Sequence, residues 1–136
     1  MKISFVIDSD KEFTSFAERN LTLHGFNVSV FSQASLFFNE LKSNVQLIIV
    51  GEMPKAEDTL QYIKRIRSVA GKSKIIHIAK TTERINLISS NIAGSTEFIE
   101  RDGATFVRLR TSLDEIQKEE TTKKSVLHSI KKAILG

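Results

Sequence analysis

The chain has 136 residues, 40% of them hydrophobic and 26% charged, which predicts one globular domain with its own core and argues against disorder. It contains no cysteine, which excludes a disulfide framework and any thiolate metal site, and no apolar run approaches the ~18 residues that span a bilayer. The formal net charge of +4 is concentrated near the end: residues 103–136 carry 7 basic and 4 acidic side chains, with Lys123-Lys124 and Lys131-Lys132 prominent among them. So small a surplus is expected to mark a solvated helix face rather than a nucleic-acid site.

At the N-terminus, Lys2–Ile7 is a short apolar run before Asp8. It is too short for a secretory segment and reads as a buried strand, so a cytoplasmic protein is expected. Phe13, Phe16, Ala17 and Leu21 then recur at helical spacing, and Ser9-Asp10-Lys11-Glu12 fits a capping box in front of them. Val28 and Val30 alternate with polar neighbours as a strand, and Ala34, Phe37, Phe38 and Leu41 form a second helical stripe. Leu47–Val50 is uniformly apolar, as in a strand buried on both faces. Leu60, Ile63, Ile66 and Ala70 predict a third helix with Asp58 as its cap, and Ile75–Ala79 a fourth strand. Ile85, Ile88 and Ile92 predict a fourth helix, and Glu97-Phe98-Ile99 the middle of a fifth strand. Gly25, Gly71 and Gly94 fall where helices would end. The alternation βαβαβαβαβ predicts an α/β protein with a parallel sheet and helices on both faces.

Beyond Asp102-Gly103, Phe106–Arg110 fits either an extension strand or the first turns of a helix. Ser112-Leu113-Asp114-Glu115 is a second capping-box pattern, which places the start of the fifth helix near Ser112. Leu113, Ile116, Leu127, Ile130 and Ile134 share one stripe, interrupted by a polar stretch at 119–124. The pattern allows two helices or one long helix with a polar waist.

Over residues 2–101 the chain resembles the receiver domains of response regulators. The resemblance rests on Phe5-Val6-Ile7-Asp8-Ser9-Asp10, on Leu47-Ile48-Ile49-Val50-Gly51-Glu52-Met53-Pro54, on Ile63-Lys64-Arg65-Ile66-Arg67 and, more weakly, on Gly94. It implies a flavodoxin-like (βα)5 fold with strand order 2-1-3-4-5; the domain is expected over residues 1–120, with 121–136, beyond the usual receiver length, as a helical extension that is part of the last helix, a linker or a dimerisation segment. It also implies a pocket at the C-terminal strand ends, where the strand order reverses. In a typical receiver an aspartate ending the third strand accepts a phosphoryl group. A Mg²⁺ ion, an acidic pair, a hydroxyl and a lysine assist it.

This sequence departs from that pattern. Gly51 takes the phosphoacceptor slot in an ungapped alignment, and Val50 takes it if Pro54 sets the register; neither can accept a phosphoryl group. The acidic pair becomes Asp8-Ser9, with Asp10 displaced by one. Ala79 stands at the hydroxyl position, Arg101 at the lysine and Phe98 at the aromatic switch position. Glu52, beside the vacated slot, is a candidate fixed charge for pairing Arg101.

His24, His77 and His128 have no second ligand at helical spacing, and no Gly-rich phosphate loop is present. The expectation is therefore a pseudo-receiver: a non-enzyme with no cofactor or metal that binds signalling proteins independently of phosphorylation. The resemblance implies an interaction face that includes Arg84, Asn86, Glu97, Phe98, Arg101, Leu113, Ile116, Leu127 and Ile130. A homodimer is among the partners this allows, and no nucleic acid or membrane is expected. The alternative is nucleic-acid or anionic-membrane binding through the basic C-terminal helix, marked by a steep salt dependence.

Overall fold

The computed structural model describes residues 2–80 and 87–135. Its elements follow in the order β1 (Lys2–Ile7), α1 (Lys11–Leu23), β2 (Phe26–Phe31), α2 (Ala34–Glu40), β3 (Leu47–Val50), α3 (Ala56–Val69), β4 (Lys74–Ala79), α4 (Leu87–Ala93), β5 (Glu97–Glu100) and α5 (Thr105–Leu135). The strands are parallel and lie in the order β2-β1-β3-β4-β5, the order expected from the resemblance.

Successive strand side chains point to opposite faces, and each face buries its own core. On one side Phe5, Ile7, Ile48, Val50 and Ile75 pack against Phe37 of α2 and Ile63 and Ile66 of α3. On the other Val6, Leu47, Ile49, Ile76, Ile78 and Ile99 pack against Phe13, Ala17 and Leu21 of α1 and Leu109 and Leu113 of α5. All four β3 side chains are buried, which is why that strand reads as an unbroken apolar run. Arg67 ties the end of α3 to the loop before β5. Its Nε and Nη2 donate to the Gly94 carbonyl at 3.0 and 2.8 Å and its Nη1 to the Ser73 carbonyl at 2.7 Å. Gly94 has φ +122°, and a Cβ there would press on the Arg67 side chain at 3.2 Å. The glycine therefore serves both the turn and the close approach.

Several local expectations are corrected. The first helix is capped by Asp10, not Ser9: Asp10 Oδ1 accepts the amides of Glu12 and Phe13, while Ser9 Oγ donates to the Glu52 carbonyl. Asp58 lies inside α3, whose cap position is Lys55. Of the three glycines only Gly25 and Gly94 take positive φ, and α3 ends on Ala70 without using Gly71 that way. The fifth helix starts at Thr105 and runs unbroken to Leu135, so Phe106–Arg110 is helical and Ser112 is not a cap. The chain turns instead at Asp102, whose carboxylate accepts the Ala104 amide and whose own amide donates to Thr105 Oγ1. Ser112, one face away, donates to Glu97 Oε1 at 2.6 Å.

Helix α4 is inverted relative to the sequence expectation. Ile88 and Ile92 are 69% and 78% exposed and Leu87 59%, whereas Ser90 and Ala93 face inward; Ile85 lies outside the described residues. The cause is polar. Ser90 Oγ pairs with His77 Nδ1 at 2.8 Å and with Ser95 Oγ at 2.6 Å, so α4 turns a serine to the sheet to give one nitrogen of a fully buried imidazole a partner.

Candidate functional site

The strand order reverses at β1 and β3, so their C-terminal ends open onto one crevice. Asp8, Gly51 and Glu52 follow those strands, Ala79 ends β4, and Arg101 follows β5. The fold thus assembles five of the six residues expected to form the degenerate pocket. Ser9, the sixth, joins through its amide and hydroxyl, both bonded to the Glu52 carbonyl at 3.0 and 2.9 Å.

Asp8 is fully buried and its carboxylate accepts three hydrogen bonds. Oδ1 accepts the Asp10 amide at 2.7 Å, and Oδ2 accepts the Glu52 amide at 2.7 Å and Arg101 Nη1 at 2.6 Å. Arg101 Nη2 reaches Asp10 Oδ2 at 3.3 Å, and its guanidinium carbon lies 4.1 Å from the centre of the Phe13 ring. A single cation, with a side chain only 17% exposed, thereby bridges both carboxylates and stacks on an aromatic face. Burial pushes the Asp8 carboxyl above the ordinary aspartate value, opposed by the Asp10 amide, Arg101 and the Glu52 amide.

Glu52 does not pair with Arg101. Its Oε1 accepts the Lys80 amide at 2.8 Å, which fixes the β3 and β4 ends to each other. Arg101 is instead claimed by Asp8 and Asp10, the first of them fully buried and in need of a cation.

Gly51 is a matter of space, since its φ is not positive. A Cβ built on it would overlap Asp8 Oδ2 and stand 2.7 Å from Asp8 Cγ and 2.9 Å from Asp8 Cβ. The volume in which a side chain of residue 51 would begin is held by Asp8. A divalent cation does not fit this arrangement. Both Asp8 oxygens are already committed, residue 51 supplies no carboxylate, and no group of three acidic or histidine side chains among the described residues is placed to hold a metal.

Sequence reasoning did not find the buried polar group beneath α4. His77 stacks edge-on against Phe98 with ring centres 5.2 Å apart, and burial lowers its pKa to about 4. The unfolded chain therefore takes up a proton near the ordinary histidine value of 6.5, and the folded chain only near 4. Stability is expected to fall by about 3 kcal/mol as pH drops through that interval, at ~1.4 kcal/mol per pH unit. Urea unfolding at several pH values checks this. The His77→Gln variant is expected to have a flatter profile between the same limits, and an equal slope in both proteins would refute the assignment.

The expected interaction face is divided by the structure. Glu97 is exposed and Phe98 half-buried, both on a groove between α4, β5 and α5. Arg101 belongs to the pocket. Leu113 is buried and Ile116 packs on the core, so neither is offered to a partner. Ile130 is 49% exposed, and Arg84, Asn86 and the Leu127 side chain lie outside the described residues. Leu87 and Val107, which the sequence reading left out of this face, line the groove.

No protein-family model matches the chain and no curated protein matches its sequence. Solved structures do match in fold. A response regulator from Thermotoga maritima superposes with TM-score 0.68 at 23% identity, covering 87% of this chain and 96% of that one. A two-component response regulator from Clostridium difficile gives TM-score 0.72 at 16% identity, with 87% and 97% covered. An atypical orphan response regulator, described as revealing a phosphorylation-independent regulatory mechanism, gives TM-score 0.66 at 13% identity, with 83% and 92% covered. The fold is the flavodoxin-like fold of receiver domains.

Proposed function

We propose that this chain is a pseudo-receiver: a protein-binding signalling module whose output does not depend on phosphorylation. The receiver-type unit is residues 1–120, and 121–136 extend its last helix. The observation that carries this reading is the Asp8 carboxylate occupying the space above Gly51, clamped there by Arg101. A phosphoacceptor has neither a side chain nor room at that position, and the guanidinium supplies the positive charge that a typical receiver takes from a metal and a lysine. Such a pocket holds one arrangement, so regulation passes to binding, and a partner shifts the domain only by its differential affinity for two states. The role is recognition rather than catalysis. The α4–β5–α5 groove is the surface through which partners are read, supported by three apolar side chains on α4 turned to solvent. No helix among the described residues is long and apolar enough to cross a membrane.

Beryllofluoride with Mg²⁺, a phosphoryl mimic for receiver aspartates, tests the reading. Amide resonances of Asp8, Gly51, Glu52 and Arg101 are expected to stay in place on its addition. Saturable shifts centred on those residues would reject phosphorylation independence.

A further inference from the structure

The strands are parallel, so all begin at one end of the sheet, opposite the crevice of Asp8 and Arg101. Lys2, Phe26, Leu47 and Lys74 are the first residues of β1, β2, β3 and β4. Lys2 is the register partner of Phe26, and Lys74 that of Leu47. Register partners send their side chains to the same face, and Phe26 and Leu47 belong to the core on the α1–α5 side. Both lysines therefore reach out beneath α5. Lys74 Nζ bonds Glu119 at 2.6 Å, and Lys2 Nζ bonds Glu120 at 2.7 Å while lying 5.5 Å from the centre of the Phe26 ring. The hydrogen bond from Lys74 holds the Glu119 carboxyl below its ordinary value, and the more distant charge of Lys123 adds to the effect.

Between these strand ends and α5 lies a cavity of about 210 Å³. At ~30 Å³ of liquid volume per water it has room for about seven waters, or for one ring-sized molecule. That is too little for the helix of a partner. Its floor is apolar: Phe26 and Leu47, both buried, and Ile116 of α5. Its rim is basic: Lys72 from the turn between α3 and β4, Lys74, and Lys123 from α5. The carboxylates there, Glu119 and Glu120, are matched by Lys74 and Lys2. Lys72 and Lys123 are exposed, and neither forms an ion pair among the described residues. Two ammonium groups from elements remote in sequence thus border one apolar cavity with no carboxylate of their own. A cation would meet that surplus charge and be repelled. We infer that the cavity binds a small organic anion, a carboxylate carried on an apolar body about the size of a benzene ring. The body lies on Phe26, Leu47 and Ile116, and the carboxylate is held between Lys72 and Lys123. Such a ligand joins the turn before β4 to α5 just past the last ion pair that ties the helix to the sheet. The site stands at the far end of the strands from Gly51 and does not rest on the reading of that crevice.

Benzoate is the probe, titrated into the isotope-labelled full chain at low salt and followed by amide resonances. Saturable shifts are expected, centred on Phe26, Leu47, Lys74 and Ile116. Acetate carries the charge without the apolar body, and benzamide the ring without the charge. Each is expected to bind at least about tenfold more weakly than benzoate. Lys72→Ala and Lys123→Ala are each expected to weaken benzoate several-fold, and the double variant about tenfold or more. Thermal stability is expected to stay unchanged in all three, because both side chains are exposed and unpaired. Lys72→Arg, which keeps the charge, is expected to keep most of the affinity. The absence of saturable shifts at tens of millimolar benzoate overturns the proposal, as do shifts centred on another surface. Acetate binding as well as benzoate would reduce the site to counter-ions on surface lysines, and benzamide binding as well would reduce it to an uncharged cavity; either result overturns the anion site. Undiminished affinity in the double lysine variant does the same. Benzoate and beryllofluoride report at opposite ends of the strands, so failure of one reading leaves the other standing.

Discussion

Replacing Arg101 with alanine is expected to destabilise the protein by about 3 kcal/mol at neutral pH, the scale at which removing one partner of a buried ion pair leaves the other uncompensated. Asp8 is fully buried, and among the described residues Arg101 is the only charged donor on it, the other two being backbone amides. Arg101→Lys keeps the charge but loses the fork that spans Asp8 and Asp10 and the flat stacking on Phe13, so roughly half of that loss is expected. The pH dependence carries the more specific signature. Burial already raises the Asp8 carboxyl above the ordinary value, against the pull of the Asp10 amide, Arg101 and the Glu52 amide. Without Arg101 the shift grows. The folded variant then takes up a proton at a pH where the unfolded chain does not, so its deficit relative to wild type shrinks as pH falls through the folded-state pKa. The His77 contribution is common to both proteins and cancels in the difference. Urea midpoints of wild type and variant, followed as pH is lowered from 7 until the native state is lost, supply the measurement. A deficit that is constant or widens on acidification would mean that Asp8 does not depend on Arg101.

The second large effect concerns Gly51. Gly51→Ala is expected to cost roughly 2 kcal/mol, because the added carbon meets a carboxylate pinned by two amides and a guanidinium rather than a side chain that can rotate away. Gly51→Asp, which places a carboxylate at that position, is expected to cost more. It adds a like charge against Asp8 and still leaves no space for a phosphoryl group. Specificity comes from a double-mutant cycle. In the Asp8→Ala background the two nearest obstructing atoms are gone and only Cβ remains, at 2.9 Å, so Gly51→Ala is expected to cost about 1 kcal/mol less than in wild type. Additive effects would show that the small residue at 51 is needed for another reason.

These two residues mark how far the sequence could be read. The alternating βα pattern and the doubly buried β3 are legible because they depend on local periodicity and residue chemistry. The geometry around Gly51 is not: its neighbours in sequence give no sign that Asp8, 43 positions earlier, fills the space where its side chain would begin.

The same division runs through the rest of the molecule. Leu113 and Ile116 read as one stripe with Ile130 and Ile134, yet the first pair is covered and the second is not, because the sheet ends before the helix does. Ile88 and Ile92 read as a core face, yet a buried histidine on β4 draws Ser90 inward and turns them out. Glu52 and Asp8 both offered a charge for Arg101, and Asp8 holds it because its carboxylate is fully buried and most needs a cation, whereas Glu52 is only half-buried and turns to the Lys80 amide. Sequence alone determined which elements form and in what order. Only tertiary structure decided what each apolar face packs against and which opposite charges meet. Those outcomes depend on distances between segments remote in sequence, and periodicity within a segment carries no information about them.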